Sequence, residues 1–274
     1  MRVRVSPPAP SSVSTIQSLK PPLKWAGGKR WLLPHVAPIW RRHAHRRYVE
    51  PFCGGLAMPL GLRPKRAVLN DVNAHLINFY RQVQHGLEMS LDTRYDETLF
   101  YSHRARFNRL VNNGGANSSE AAQLFYYLNR TCYNGLCRFN QSGEFNVPFG
   151  KYKTVNYTRT FQSYQSVFRH WKFTNDDLEE LNVRDDDFVY ADPPYDVQFT
   201  TYSAEGFSWD DQVRTAEWLA RRRGPVLLSN QATPRIVRLY RQLGFRLKFF
   251  NAPRRINSNG DRAPAREVLA SRNL

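Results

Sequence analysis

Tyr48-Val49-Glu50-Pro51-Phe52-Cys53-Gly54-Gly55-Leu56-Ala57 is the stretch whose reading decides the fold. Tyr48-Val49 reads as a short strand that runs into a glycine turn, and a helical pattern continues through Leu60. Strand, glycine turn and helix in that order build the nucleotide pocket of a doubly wound α/β sheet, where glycines let the backbone come close to a ligand. The spacing is not GxGxxG and no P-loop lysine follows, so the expected ligand is nucleoside-like and lacks a pyrophosphate. About twenty residues on, Ala67-Val68-Leu69-Asn70-Asp71 reads as a second strand ending in an acid suited to ribose hydroxyls.

The same rhythm returns later in the chain. Residues 171–174 read as a strand ending in Asn175-Asp176-Asp177-Leu178, and Phe188-Val189-Tyr190-Ala191 as one ending in Asp192-Pro193-Pro194-Tyr195. Residues 225–229 read as a fifth strand, with 245–250 and 267–270 as a closing hairpin and helices at 209–223 and 233–243 as crossovers. Between 72 and 130 the alternation stops. Leu76-Ile77-Phe79-Tyr80-Val83 and Leu124-Phe125-Tyr127-Leu128 recur near the helical period, so residues 72–165 are expected to form an inserted, mainly helical subdomain. Its end, 129–152, is crowded with Asn, Arg, Gly and aromatics, and Phe139-Asn140-Gln141-Ser142-Gly143-Glu144-Phe145 reads as a hairpin. Residues 23–71 and 166–274 then form the catalytic domain. Residues 1–22, rich in Pro and Ser, read as a flexible arm.

The 274 residues carry a net charge of +17 with 41% hydrophobic residues, a globular chain that attracts polyanions, nucleic acid above all. Residues 1–66 hold thirteen Lys or Arg against the single acid Glu50, whereas 169–211 hold twelve acids against three Lys or Arg. A basic rim around a carboxylate-lined pocket is the expectation. Cys53, Cys132 and Cys137 have neither CxxC spacing nor a histidine pair beside them, so neither disulfides nor a metal are expected, and the compartment reads as reducing. No apolar run approaches the roughly 18 residues of a membrane span, and the amino terminus lacks a signal-peptide core.

Asp192 is the chemical focus. The two prolines fix their φ angles and make a rigid bracket at the strand end. A carboxylate and a neighbouring backbone carbonyl can accept both hydrogens of a planar amino group, localise its lone pair and favour attack on an electrophile. Tyr195 can stack on the ring that carries it. Such a site works by positioning and preorganised electrostatics rather than by a general base of unusual pKa. The electrophile must then come from the glycine turns of Lys24-Trp25-Ala26-Gly27-Gly28-Lys29 and Gly54-Gly55 together with Asp71, an acid-rich, phosphate-free site suited to a cationic sulfonium methyl donor.

Taken together, Lys24 to Lys29, Glu50 to Gly55, Asn70-Asp71, Tyr126-Tyr127-Leu128-Asn129-Arg130, Tyr133-Asn134-Gly135-Leu136-Cys137-Arg138-Phe139-Asn140, Gly143 to Gly150, Asp192 to Tyr195 and Ser258-Asn259-Gly260 resemble, in order, the DNA adenine methyltransferases of the Dam family. The likeness runs over about residues 23 to 270. It implies a Rossmann-like class I methyltransferase sheet of about seven strands with an inserted DNA-recognition subdomain. It also implies methyl transfer from S-adenosylmethionine to the adenine amino group in GATC, by base flipping. By this resemblance Trp25, Ala26, Gly27, Gly28, Lys29, Glu50, Pro51, Phe52, Cys53, Gly54, Gly55, Asp71 and Asp177 would hold the cofactor. Asp192, Pro193, Pro194 and Tyr195 would hold the adenine. Tyr133 would wedge into the gap and Asn134 meet the orphaned thymine, while Lys24, Leu136, Arg138, Pro148, Tyr152 and Asn259 would complete the contacts to double-stranded DNA. Leu178 stands where the family has an aromatic. The implied location is cytoplasmic, on the nucleoid or in an infected host, with no obligate protein partner.

Three other activities compete with this one. A proline-bracketed motif also serves cytosine methylation, but the reading segment argues against it. Protein glutamine methylation uses asparagine where this chain has Asp192. A silent DNA-binding module would not be expected to keep both Asp192 and the Gly54 turn.

Overall fold

The computed structural model describes residues 19–196, 206–252 and 265–274. After a 3-10 turn at Arg30–Leu32, α1 (Leu33–His43) leads to β1 (Tyr48–Glu50), α2 (Ala57–Leu62), β2 (Ala67–Asn70) and α3 (Ala74–Gln84). Next come α4 (Glu97–Asn112), α5 (Ser119–Thr131) and α6 (Gln162–Phe168), then β3 (Trp171–Thr174) and β4 (Phe188–Ala191). The chain closes with α7 (Trp209–Ala220), β5 (Val226–Gln231), α8 (Pro234–Gln242), β6 (Arg246–Ala252) and β7 (Ala265–Arg272).

The strands form one sheet in the order β3-β2-β1-β4-β5-β7-β6. The first five are parallel, whereas β7 runs antiparallel to both β5 and β6. This is a Rossmann-like sheet of seven strands with an antiparallel closing hairpin, the fold that the resemblance implied and in agreement with the strand pattern of the sequence. Both faces are covered, and each strand divides its side chains between them. Tyr48, Leu69, Phe173, Phe188, Tyr190 and Leu227 pack with α1, α2, α3 and α6. Their neighbours Val49, Val68, Val189, Ala191, Val226 and Leu228 pack with α7 and α8 on the other side. Helix starts follow local chemistry: Asn73, Asp96, Ser118 and Thr233 each cap with a side-chain oxygen, and Ser208 with Asp211 makes a capping box for α7.

The long connection from β2 to β3 carries α3 to α6, with α3 packed against α5 and Phe79 stacked on Tyr126 at 5.5 Å. The Phe139 to Phe145 stretch closes as a tight turn with one antiparallel bridge, in which Asn140 donates to the Glu144 carboxylate and accepts from the Glu144 amide. The three cysteines are free thiols.

The charge distribution differs from a simple basic rim. α1 and α2 run antiparallel to the strands and return the chain to their amino-terminal ends. Seven of the thirteen Lys and Arg in residues 1–66, namely Arg41, Arg42, Arg46, Arg47, Arg63, Lys65 and Arg66, therefore lie at the sheet edge opposite Asp192.

One buried side chain ties the loops at the carboxyl edge of the sheet together. Asn70, at the end of β2, donates to the carbonyls of Pro51 (3.1 Å) and Asp176 (3.0 Å). It accepts from the Thr174 hydroxyl (2.8 Å) and the Asp176 amide (2.9 Å). Its amide is fully used, so the loops after β1, β2 and β3 share one anchor. Asn70→Leu should destabilise the protein by about 2–4 kcal/mol through stranded buried groups, read as a lower urea midpoint at unchanged slope.

Candidate active site

Every acid singled out for the site ends or follows a parallel strand at its carboxyl end, the edge where open α/β sheets bind ligands. Asp192 comes directly after β4. Its Oδ2 lies 3.0 Å from Lys29 Nζ, and its Oδ1 accepts from the Ser229 hydroxyl at 2.8 Å. With its hydrogen committed there, Ser229 is left to accept from Tyr190, whose hydroxyl is 2.9 Å away. Burial pushes the Asp192 carboxyl above the usual carboxylate range, while Lys29 and then Ser229 pull it back down. Lys29 is itself buried, 4.0 Å from Glu267 and 4.3 Å from the centre of the Tyr195 ring. Glu267 is likewise raised by burial, opposed chiefly by Lys29 and by a hydrogen bond with Tyr195.

The bracket is held from behind. The Pro194 carbonyl accepts from Gln212 Nε2 at 2.7 Å, Gln212 accepts in turn from Asn230 at 2.9 Å, and Asn230 also donates to the Tyr240 hydroxyl at 3.1 Å. Asp196 pins the following residues to Arg235 and Thr233. Among the described residues no hydrogen bond reaches the carbonyl of Pro193, the residue next to Asp192.

The glycine turn sits on the Trp25 indole. A Cβ on Gly54 would fall 2.8 Å from Trp25 Nε1, and one on Gly55 would fall 2.8 Å from Trp25 Cβ. Only glycine allows this approach, and Gly54 also has φ +42°. Asp71 accepts the Gly54 amide on one oxygen and the Asn73 amide on the other, both at 3.0 Å, which leaves a lone pair on each for a hydroxyl. Burial raises its carboxyl to about 6. Glu50, bonded to Tyr48 at 2.8 Å, is raised well above the usual range by burial, with Asp192 and Asp71 adding to the effect. The Pro51 carbonyl and the Cys53 amide both bond Asn70, and Phe52 meets Phe207 edge-on. Ala26, Gly27 and Gly28 form an exposed turn above Lys29. A flat indole, hydroxyl acceptors and crowded carboxylates fit a nucleoside bearing positive charge. Asp177 lies on the same edge after β3, but both its oxygens are taken by Arg214, at 3.1 and 3.0 Å, near the surface.

A second cluster gathers most of the residues expected to meet DNA. The Tyr133 amide donates to the Pro148 carbonyl at 2.9 Å, and the Tyr152 hydroxyl to the Cys132 carbonyl at 2.7 Å. Lys24 packs under Gly135, where a Cβ would fall 2.4 Å from its own. Its ammonium donates to the Arg130 carbonyl at 2.9 Å and lies 3.4 Å from the centre of the Tyr152 ring. Burial and Arg130 lower Lys24 to about 8. Tyr133 is 52% exposed, a large ring left in solvent, and Asn134 beside it adopts φ 52°. Arg138 is exposed and braced by a 2.8 Å bond from Nε to Asn146, while Leu136 is half-buried between the two. Asn259 falls outside the described residues.

Ser229, Gln212, Tyr190 and Glu267 were not singled out from the sequence. Ser229-Asn230 interrupting the apolar run of β5 was a usable signal. Glu267 had none, because its approach to Lys29 depends on the antiparallel register of β7 against β5.

Residues 25–255 match the D12 class N6 adenine-specific DNA methyltransferase family. The chain is 35% identical over 266 residues to the DNA N-6-adenine-methyltransferase of Escherichia phage P1, covering 90% of this chain but only 34% of that longer protein. It is 34% identical over 272 residues to the DNA adenine methylase of Escherichia coli K12, covering 90% of this chain and 93% of that one. Type II methyltransferase M1.LlaDCHI of Lactococcus lactis is 34% identical over 244 residues, with 82% and 85% covered. The strand-end acids, the glycine turn on Trp25 and the Asp192 bracket all lie within the matched span, and the chain belongs to the D12 class of N6 adenine-specific DNA methyltransferases.

Proposed function

We propose that this enzyme methylates the amino group of adenine within GATC after the base has swung out of the duplex into the Asp192 site. The observation that carries the reading is the Asp192 carboxylate held by Lys29 and Ser229 on a bracket that Gln212 fixes through the Pro194 carbonyl, with the neighbouring Pro193 carbonyl left without a donor among the described residues. The two acceptors take the two hydrogens of the adenine amino group and turn its lone pair outward. Lys29 counters the upward pull of burial on the Asp192 carboxyl, and the Ser229 hydroxyl holds its other oxygen. Tyr195 stacks on the purine, and its ring is steadied by the Lys29 ammonium.

S-adenosylmethionine, the cofactor of this class, supplies an electrophilic methyl group on a sulfonium. Trp25 and the Gly54-Gly55 turn hold its adenosine, Asp71 takes ribose hydroxyls on its open lone pairs, and Glu50 contributes to the negative lining. Asp177, its oxygens bonded to Arg214, adds only negative charge from the loop after β3. After transfer, the amino nitrogen releases one proton, which Asp192 can accept and pass to solvent.

The exposed Tyr133 ring enters the stack where the adenine leaves, and Asn134 meets the unpaired thymine. Arg138, aimed by Asn146, reads a guanine edge, with Lys24, Leu136, Pro148, Tyr152 and Asn259 completing the contacts of a target-recognition subdomain. No helix among the described residues is long and apolar enough to cross a membrane, and the enzyme works where the cell or an infecting phage keeps its DNA. Expression in a methylation-deficient host, followed by digestion with nucleases that distinguish methylated from unmethylated GATC, tests the target. Full sensitivity to the enzyme that cuts only unmethylated GATC would refute it.

Asp192→Ala should lower single-turnover methyl transfer by about 10³-fold with DNA affinity changed only a few-fold. The rate should fall on the acid side as Asp192 protonates, along a limb displaced above the ordinary aspartate range. Lys29→Met removes a cation that holds the Asp192 carboxyl down, so it should move the limb to higher pH. Cofactor affinity, measured by calorimetry, should weaken as pH falls through about 6, where Asp71 protonates. Asp71→Asn should bind roughly tenfold more weakly without that pH dependence. Arg138→Ala should reduce discrimination at one base pair by about 1–3 kcal/mol in competition assays across GATC variants.

A further inference from the structure

The edge of the sheet opposite Asp192 carries a cationic ridge that methyl transfer does not use. Strands β3, β2 and β1 are adjacent and parallel, so the loops leading into them lie side by side, about 5 Å apart from one strand to the next. Arg169 and His170 lead into β3, Arg63, Lys65 and Arg66 into β2, and Arg41, Arg42, His43, His45 and Arg46 into β1. Arg41, Arg42, Lys65, Arg66 and Arg169 are exposed, as is Lys172 on the outer strand β3. None of these six forms an ion pair among the described residues. Residues 41–47, 63–66 and 169–172 contain no acid at all.

The ridge ends beside β4, where acids begin: Asp187 pairs with Arg47 at 2.6 Å and Asp185 with Arg223 at 3.2 Å, while the exposed Asp186 forms no ion pair among the described residues and its carbonyl accepts from Arg46 at 2.7 Å. Its field is felt by its own members, since Arg46, Arg42 and His45 add to burial in lowering the pKa of His43.

We propose that this ridge binds a second segment of double-stranded DNA while the catalytic edge holds the first. Cations in a row about a strand spacing apart, without carboxylates among them, match a duplex that presents one negative charge per about 1.7 Å of axis. A single short duplex cannot serve both edges. The sheet lies between them, and duplex DNA is stiff over about 150 base pairs. Holding two segments lets the enzyme pass between distant sites on a long molecule without full release. The inference rests on membership of a DNA methyltransferase class and not on GATC as the target.

The test uses the full chain with two short duplexes carrying donor and acceptor fluorophores, one containing the target sequence and one not. Energy transfer between them at low salt reports the ternary complex. In Arg41→Gln/Arg42→Gln/Lys65→Gln/Arg66→Gln the ternary complex should weaken at least about tenfold, and the salt slope of second-duplex binding should become shallower by about 0.9 for each phosphate no longer neutralised. Single-turnover methylation of the short duplex should stay within about twofold, which shows the variant to be folded and separates this outcome from failure of the catalytic reading. On a long substrate with two distant sites, successive methylation before release should decline. Absence of energy transfer in the unaltered protein, or equal energy transfer in the variant, would overturn the proposal. So would tighter binding of single-stranded RNA than of duplex DNA at the ridge.

Discussion

The structure depends on keeping several carboxylates together where little water reaches them. Parallel strands all end on one side, so Glu50, Asp71 and Asp192 share an edge, and burial raises the pKa of each. Each has a specific compensation: Tyr48 for Glu50, two backbone amides for Asp71, Lys29 and Ser229 for Asp192. The compensation is incomplete by design of the donor set, since Asp71 keeps open lone pairs and the Pro193 carbonyl has no donor among the described residues. A cationic ligand with hydroxyl groups would complete it, which is what the proposed placement of S-adenosylmethionine beside Asp192 supplies.

Rigidity comes from polar side chains whose bonding capacity is used up. Asn70 joins three loops through four hydrogen bonds, and Gln212 with Asn230 and Tyr240 supports the proline bracket from the adjoining helix and strand. Such buried networks are unforgiving of substitution and therefore hold geometry well. The Trp25 indole against the glycine turn does the same for the cofactor side by contact instead of hydrogen bonding. Acceptors in place beforehand, as the proposed reading requires of them, need no reorganisation at the moment of reaction.

The net charge of +17 is divided by the topology. Helices α1 and α2 carry a large part of the positive charge to the edge remote from the acids, while the long connection between β2 and β3 carries Arg138 and the exposed Tyr133 and holds Lys24 through Asn129 and Arg130. Total charge states that the protein meets a polyanion. Its distribution states on which faces.

Much of the fold was legible in the residue order, because strand and helix periods, glycine turns and capping residues are local properties. The strand at Phe188–Ala191, the acid after it and the glycine turn at Gly54 could all be found by reading along the chain. The Asp192 bracket was legible for the same reason, its prolines being adjacent. The ion pair of Lys29 with Asp192 was not, nor were Ser229 at its other oxygen, Glu267 beyond Lys29, or the gathering of basic loops at the far edge. Those join residues from separate strands, and strand order and register set their distances. The sequence by itself therefore determined the element types, the site motifs and the chemistry they can perform. Only the tertiary structure decided which charges neutralise one another, because Coulomb and desolvation energies depend on separation and burial in space and not on position along the chain.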